Sequence, residues 1–284
     1  MNQGILYVVA TPIGNLGDIT LRALEVLKNV DAIAAEDTRH TSGLLAHFGI
    51  SKKLIAVHQH NEQQSADALI ASLQAGDSIA LVTDAGTPAV SDPGAIVVAA
   101  VRATGLKVVP IPGASALTAA LSASGIGENG FTFIGFLPAS SGGRKKAMQA
   151  LLAHPYTLVF YEAPHRIIDF MESALEVFGE ERRLFVAREL TKTFETFFSG
   201  TTSDAKKWLL NDANQQRGEF VILLESMPDK AIEGINEDEE RVLKMLLAEL
   251  PLKQAVKLAA EITGAKKNML YDFALELKSG LKND

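Results

Sequence analysis

The sequence predicts an α/β protein with two α/β domains and a small helical segment at its C-terminus. Three observations support this. Residues 1–118 alternate short apolar runs with helical patterns, which is typical of a parallel sheet covered by helices. In residues 119–227 the strand-like runs lie closer together late in the segment, which indicates a second domain with a mixed sheet. Residues 228–284 carry helical patterns throughout, interrupted at Pro251.

Five apolar runs are the predicted strands of the first domain. They read GILYVVA, DAIAAE, KLIAV, SIALVT and KVVPIP, and each is followed by a helical or loop segment. The segment 61–75 illustrates the helical pattern, with Asn61 as the expected N-cap and Ala66, Leu69 and Leu73 recurring on one face. In the second domain, FTFIGF, YTLVFYE, RRLFVARE, ETFFSG and EFVILLE are the predicted strands, with helices near 143–153, 164–178 and 202–212.

Composition limits the possible classes of protein. The 284 residues are 47% hydrophobic and 21% charged, which suits a folded protein with a large core. No apolar stretch approaches the roughly 18 residues of a membrane helix and the N-terminus lacks a signal-peptide pattern, so we expect a soluble cytoplasmic protein. The absence of cysteine excludes thiolate chemistry. A net charge of −7 argues against a uniformly basic surface but allows a local basic patch.

Two connections are longer than is usual for α/β units, and a third is rich in small residues. They are Ala10–Gly17, Thr83–Gly94 and Ile111–Ala116, and all follow predicted strands. In open α/β sheets, ligands bind beyond the carboxyl ends of the strands, so these loops are the first candidates for a site. The first loop lacks both the Rossmann glycine pattern and the lysine of a P-loop, which excludes a phosphate cradle. A plain turn ending in an Asp18 helix cap is the alternative.

The second loop separates into a functional and a structural part. Asp84 stands at a strand end where its carboxylate could meet a ligand amine or hydroxyl, and Gly86 and Thr87 follow it. Asp92 and Pro93, by contrast, are typical of a helix cap with proline at the first helical position.

Two polar clusters follow the next strands. AEDTRHT places Glu36, Asp37, Arg39 and His40 within five residues, and helix-dipole preference explains only the two acids. VHQHNE ends the following strand, and its alternating histidines could bind a metal or line a polar pocket. Because no third ligand is evident, we expect the pocket and no metal.

In the second half, FYEAPHR and ARELTKTFE end strands with dense charge. Arg166, Arg188 and Lys192 could bind phosphate, or could pair with glutamates of the same segments. The C-terminal stretch from Pro251 is typical of helix, tight turn and helix; its lysine pair could contact nucleic-acid backbone, or the helices could simply cap the fold.

Taken in order, seven motifs resemble the tetrapyrrole-methylase superfamily, and within it the branch that methylates small-subunit ribosomal RNA. The motifs are VVATPIGNLGDIT, AAEDTRHT, DAGTPAVSDPG, PGASA, FYEAPHR, ARELTK and GEFVILLE. The resemblance implies a cofactor cleft between two α/β domains, S-adenosylmethionine as the cofactor, and methylation of a cytidine ribose 2′-hydroxyl in the decoding region of 16S ribosomal RNA. It also implies a homodimer that acts on an assembled or assembling 30S particle, with no membrane partner.

The resemblance assigns roles to residues by motif. The expected cofactor-binding residues are Pro12, Ile13, Asp84, Thr87, Ser115, Ala116, Glu162 and Leu190. From their placement at strand ends, Glu36, Asp37 and His58 are candidates for a catalytic base. The expected RNA-binding residues are Arg39, His40, Asn61, Glu62, Arg144, Lys145, Arg166, Lys266 and Lys267. Two alternatives remain open: methylation of a tetrapyrrole or a protein, and a non-catalytic RNA-binding or assembly protein on the same fold.

Overall fold

The computed structural model describes residues 3–58, 62–127, 130–226 and 237–280. The chain forms two compact units, Met1–Ser226 and Met227–Asp284. The larger unit contains two five-stranded sheets, and the smaller one is helical. The predicted α/β class with a C-terminal helical segment is therefore confirmed.

The first sheet is fully parallel, as predicted. Its strand order is β3-β2-β4-β1-β5. The central strands β2 and β4 are buried along their whole length because helices cover both faces, which explains their uninterrupted apolar sequences. The strands are β1 (Ile5–Val9), β2 (Ala32–Ala35), β3 (Lys53–Ala56), β4 (Ile79–Val82) and β5 (Lys107–Ile111).

Helices follow these strands. They are α1 (Leu21–Asn29), α2 (Thr38–His47), α3 (Glu62–Ala75), α4 (Ala95–Ala103) and α5 (Ala116–Ser124). α3 and α4 pack in one core against β1 and β4, whereas α1 and α2 pack in a second core that contains Val9 and Ile33. α5 differs from the others, because its Ala120 is buried against Val159 and Ala187 of the second sheet.

Two helices begin differently from the sequence prediction. Thr20, not Asp18, caps α1, and its hydroxyl accepts a hydrogen bond from Ala23 N at 3.1 Å. Gly94, not Asp92, is the N-cap of α4 and makes no side-chain cap bond.

Glu62 supplies the missing cap of α4. Its Oε2 accepts hydrogen bonds from Gly94 N at 3.1 Å and Ile96 N at 3.2 Å. A carboxylate is favourable there because the N-terminus of a helix carries partial positive charge. Glu62 is only 6% exposed, so the prediction that it positions RNA is wrong.

The second sheet is mixed, also as predicted. Its order is β6-β7-β10-β8-β9, in which β6 and β7 are parallel and the other pairs are antiparallel. The strands are β6 (Phe131–Phe136), β7 (Thr157–Glu162), β8 (Arg183–Arg188), β9 (Thr196–Thr201) and β10 (Phe220–Leu224). Three helices contribute to the core on one face: α6 (Ser141–Ala150), α7 (Ile167–Phe178) and α8 (Thr202–Asn211).

The smaller unit consists of three described helices, α9 (Glu237–Glu249), α10 (Leu252–Thr263) and α11 (Lys267–Gly280). Leu243, Val256 and Leu270 form its core, one from each helix. Pro251 precedes α10, and Gly264 ends it in the left-handed conformation that favours glycine. None of the described helices is long and apolar enough to cross a membrane.

Candidate active site

The three loops singled out in the sequence join into one wall. Thr11 N donates to Gly86 O at 2.9 Å, and Gly86 N donates to Thr11 O at 3.0 Å, which links the first loop to the second. Thr87 Oγ1 donates to Ala114 O at 3.1 Å, which links the second loop to the third. Because these bonds are largely between main-chain groups, the wall is formed mostly by backbone and small residues.

Gly86 is required by this arrangement. Its φ of +83° lies in the left-handed region, and a Cβ there would lie 3.3 Å from Ile13 Cγ2. A larger residue would therefore be strained and would press on the side chain that follows Pro12. The close approach of backbone at this glycine results from packing between the two loops.

Non-glycine residues with left-handed backbone occur on both sides of the site. They are Ala89 and Ser91 in the second loop, with φ of 66° and 63°, and Glu189 and Thr191 after β8, with φ of 52° and 64°. Such conformations are uncommon and persist where surrounding structure holds them, frequently at functional sites.

A cleft of about 250 Å³ lies between this wall and the second sheet. Six of the eight predicted cofactor-binding residues line it, whereas Pro12 and Asp84 do not. The six are Ile13, Thr87, Ser115, Ala116, Glu162 and Leu190. Pro12 is buried, and Asp84 Oδ1 accepts a hydrogen bond from Asp37 N at 3.0 Å.

Sequence reasoning missed several residues of the cleft. Asp92, Phe136, Tyr161 and Glu219 all line it. The Tyr161 hydroxyl accepts a hydrogen bond from Leu117 N at 3.0 Å, so it holds the first turn of α5 at the cleft. The density of polar residues at FYEAPHR pointed to this strand end but not to the tyrosine.

Asp92 has the most unusual electrostatic environment in the cleft. Burial raises its pKa from the ordinary 3.8 to about 7, and the negative charges of Glu36, Asp84 and Glu219 add to the effect. None of the described residues pairs with its carboxylate through a hydrogen bond or an opposite charge. The cleft thus presents an acid that a cationic ligand would stabilise in its ionised form.

The two adjacent acids after β2 have different environments. Asp37 Oδ1 accepts from Arg39 N at 2.8 Å and His40 N at 3.4 Å, which caps α2, and the bond from Arg39 lowers the pKa of Asp37. Burial, followed by the nearby charge of Asp84, raises the pKa of Glu36. Of the pair, Glu36 is therefore the better proton acceptor near neutral pH.

Three other residues predicted near this end of the sheet, Arg39, His40 and His58, are exposed. Arg39 and His40 lie in the first turn of α2, and Arg39 pairs with Asp37 at 3.6 Å. His58 is exposed just beyond β3. Asn61 and the second histidine of VHQHNE, His60, lie outside the described residues.

Two arginines predicted to bind RNA instead hold the segment that follows β6. Arg144 is 2% exposed, and it donates from Nε to Ser173 Oγ at 2.9 Å and from Nη1 to Ala139 O at 3.1 Å. RNA cannot reach it, so that prediction is wrong. Arg166 donates from Nη2 to Leu137 O at 2.6 Å.

Lys145 and Arg188 also have partners within the protein. Lys145 forms an ion pair with Glu176. Arg188 is buried and donates to the carbonyls of Arg217 at 2.6 Å and Phe194 at 3.1 Å and to Thr196 Oγ1 at 3.4 Å, so its partners are groups of the protein itself.

Lys192 is held between two acids at the cleft. Its Nζ lies 2.8 Å from both Glu189 Oε1 and Glu219 Oε2. The alternative of pairing with a glutamate of its own segment therefore describes Lys192 in this structure. In the helical unit, Lys266 and Lys267 are exposed where α11 begins.

The chain matches two protein-family models. Residues 5–206 match the tetrapyrrole (corrin/porphyrin) methylases, and residues 233–278 match the RsmI C-terminal HTH domain. Among solved structures, a uroporphyrin-III-C-methyltransferase of Thermus thermophilus covers 79% of this chain and 95% of its own, with a TM-score of 0.57 and 22% identity. That likeness shows the fold.

Curated relatives are much more similar. A protein of Escherichia coli O157:H7 named ribosomal RNA small subunit methyltransferase I is 53% identical over 97% of this chain and 96% of its own length. A protein of the same name from Pseudomonas aeruginosa is 52% identical over 97% of this chain and 98% of its own. The chain therefore belongs to the tetrapyrrole (corrin/porphyrin) methylase family, and within it to the ribosomal RNA small subunit methyltransferase I group.

Proposed function

We propose that this protein transfers a methyl group from S-adenosylmethionine to the ribose 2′-hydroxyl of a cytidine in the decoding region of 16S ribosomal RNA. The observation that carries the proposal is the 53% identity with a small-subunit ribosomal RNA methyltransferase over nearly the full length of both chains. The match includes the C-terminal segment, whose family description names a helix-turn-helix, a motif widely used for nucleic-acid contact.

The side chains that line the cleft suit S-adenosylmethionine as a ligand. This cofactor has no phosphate and carries positive charge on its sulfonium and ammonium groups, and when bound it supplies an activated methyl group. Ile13 and Leu190 offer apolar walls, and Ser115 and Ala116 offer small side chains at the start of α5. Asp92, which lacks a counter-charge among the described residues, would hold a cationic group of the ligand.

The protein's main chemical task is to position the ribose hydroxyl and remove its proton. Proximity and orientation supply a large part of the rate enhancement in such a transfer. Glu36 is our preferred base because burial and Asp84 raise its pKa towards neutrality. Asp37 is committed to capping α2 and its pKa is lowered, whereas His58 remains the second candidate as an exposed side chain at the next strand end.

RNA contact is proposed for the exposed cations. Arg39 and His40 lie beside the proposed base, and Lys266 and Lys267 begin α11 of the helical unit. A homodimer would bring two such tails to one 30S particle, which would help an acidic chain with a net charge of −7 to bind RNA. Sedimentation that shows only a monomer of 30.4 kDa at micromolar concentration would contradict the dimer.

Methyl transfer from labelled S-adenosylmethionine tests the proposal. Purified protein is incubated with unmethylated small-subunit particles, with free 16S RNA, and with a porphyrinoid. We expect label in the ribosomal RNA and its loss from the product when the modified ribose is replaced by a 2′-deoxynucleotide. Label in the porphyrinoid alone would favour a tetrapyrrole substrate, and no label with weak cofactor binding would favour a non-catalytic protein.

A further inference from the structure

Phe136 is a large apolar side chain exposed at the cleft. It is the last residue of β6, it lines the cleft, and it is 52% exposed. Its ring meets the ring of Tyr161 edge to face, with centroids 5.7 Å apart. The ring therefore has an aromatic contact within the protein while much of it remains accessible to solvent.

The backbone before Phe136 is built to place it there. The register between β6 and β7 shifts between Phe133 and Gly135, which marks a bulge. Bulges turn the next side chain to a new direction and are common beside active sites. Gly135 has a φ of +73°, and a Cβ there would lie 2.6 Å from Ser91 Oγ in the second loop, so both the conformation and the space require glycine.

Two arginines fix the backbone after Phe136: Arg144, which is buried, and Arg166, which is partly buried. Arg166 holds the carbonyl of Leu137 at 2.6 Å, and Arg144 holds the carbonyl of Ala139 at 3.1 Å. Arg166 also pairs with Glu162 of the cleft at 3.0 Å. These contacts fix the backbone that follows the exposed phenyl ring.

We propose that Phe136 is the stacking platform for the nucleobase of the nucleotide whose ribose is methylated. This inference rests on the proposed function. Aromatic side chains stack on unpaired RNA bases, and a base stacked at the rim would bring its own ribose towards the interior of the cleft. Phe136 is a positioning residue in this account, because it orients the substrate and takes no part in the proton or methyl transfer.

The adenine of the cofactor is the competing occupant. It carries a similar aromatic face, but the cleft offers it more enclosed apolar side chains, such as Leu190, which is 8% exposed. Phe136 stands at the accessible rim, where a large substrate must approach from solvent. The two occupants can be distinguished by measurement. Loss of the ring weakens the binding of RNA if the nucleobase stacks on it, and weakens the binding of the cofactor if the adenine does.

The test compares Phe136→Leu and Phe136→Tyr with a matched control on the same strand. Phe136→Leu keeps an apolar side chain but removes the ring, and Phe136→Tyr keeps the ring. Phe131→Leu is the control, because Phe131 is similarly exposed at 46% but does not line the cleft. Each variant is assayed for the KM for small-subunit particles, kcat, and the Kd for S-adenosylmethionine.

We expect Phe136→Leu to raise the KM for particles by about 5-fold to 150-fold, the range for loss of one aromatic stacking partner. The Kd for the cofactor should change by less than about twofold. Phe136→Tyr, which keeps the ring, should have the KM of the unsubstituted protein. An unchanged KM, or a loss equal to that of Phe131→Leu, would overturn the inference. A rise in cofactor Kd that matches the rise in KM would assign the ring to the adenine instead.

Fluorescence offers a direct view of stacking. The only tryptophan of the chain is Trp208, stacked on Phe198 with ring centroids 5.1 Å apart, so the unsubstituted protein supplies the baseline. In Phe136→Trp, a short cytidine-containing RNA should quench the added emission in the presence of S-adenosylhomocysteine, and lack of quenching would contradict stacking. If the unsubstituted chain methylates no RNA, the proposed function fails; if it does and Phe136→Leu behaves normally, only this inference fails.

Discussion

Replacement of Asp92 by asparagine is expected to have opposite effects on folding and on ligand binding. The asparagine keeps the size and shape of the side chain and removes its charge. In the free protein that charge stands among the like charges of Glu36, Asp84 and Glu219, so its removal should stabilise the fold. In the complex the same charge would face a cation, so its removal should weaken cofactor binding.

The size of the stability effect follows from the pKa. A rise from 3.8 to about 7 corresponds to about 4 kcal/mol between the two protonation states if nothing screens the charge. Because the Asp92 side chain is partly exposed, solvent screening reduces this to about 1–2 kcal/mol. For a chain of this size, the melting temperature of Asp92→Asn should rise by about 2 to 6 °C at about pH 8.

The sign of the pH dependence is fixed by the direction of the shift. Since the pKa of Asp92 is raised in the folded state, ionisation destabilises the fold progressively as the pH rises from about 4 to about 7. The advantage of Asp92→Asn should therefore be full above about pH 7 and smaller at about pH 5. Thermal unfolding without cofactor at the two pH values measures it. A lower melting temperature at pH 8, or the same gain at both values, would refute the reasoning.

Isothermal titration calorimetry measures the effect of Asp92→Asn on the binding of S-adenosylmethionine. Loss of one charge-assisted contact should weaken the binding of S-adenosylmethionine by about 1.5–3 kcal/mol, which raises the Kd roughly 10-fold to 150-fold. In the unsubstituted protein, the affinity should increase as the pH rises through about 7, because Asp92 must ionise, and binding near neutral pH should release protons. An unchanged Kd in Asp92→Asn, or no proton release by the parent, would show that Asp92 does not meet the cation.

Three further outcomes are expected. Glu36→Gln should lower single-turnover methylation by about 100-fold or more, whereas Asp37→Asn, which preserves the cap of α2, should have little effect. An unchanged rate in both variants would exclude a carboxylate base at this strand end. Replacing Lys266 and Lys267 by alanine should make RNA binding less dependent on salt: the slope of log K against log salt concentration should become smaller in magnitude by about 1.5 to 2. An unchanged slope would mean that the two lysines contact no phosphate. Arg182→Met should leave the free energy of unfolding unchanged or raise it by about 1 kcal/mol, because Nε and Nη2 of this buried arginine have no hydrogen-bond partner in the described part of the chain. A marked fall in the melting temperature would contradict this.

The strands of both sheets were predictable from sequence because their signals are local. Runs such as SIALVT and EFVILLE contain uninterrupted apolar stretches, IALV and FVILL, and the structure buries these strands, β4 and β10, completely. The helix caps were less predictable, because the partner of a cap can be distant in sequence. Glu62 lies 32 residues before Gly94, and no local pattern relates the carboxylate to the start of α4.

The candidate site was predictable where its residues stand in strand-end loops. Ile13, Ser115 and Leu190 line the cleft and belong to motifs of the first, third and last of these loops. Side-chain partners were not predictable from motifs. Arg144 illustrates this, because it was expected to bind RNA but is buried and donates to Ser173 of α7. Phe136 had one local signal, the glycine that interrupts the strand-like FTFIGF, which is typical of a bulge.

Mass mapping of 16S ribosomal RNA from cells with and without this chain shows whether the protein methylates the decoding region. Deletion should remove a single methyl group from the ribose of one decoding-region cytidine. The intact gene should restore this methyl group, and a Glu36→Gln copy should not. An unchanged methylation pattern in the deletion strain, or loss of a methyl group from a base at another position, would exclude the proposed activity.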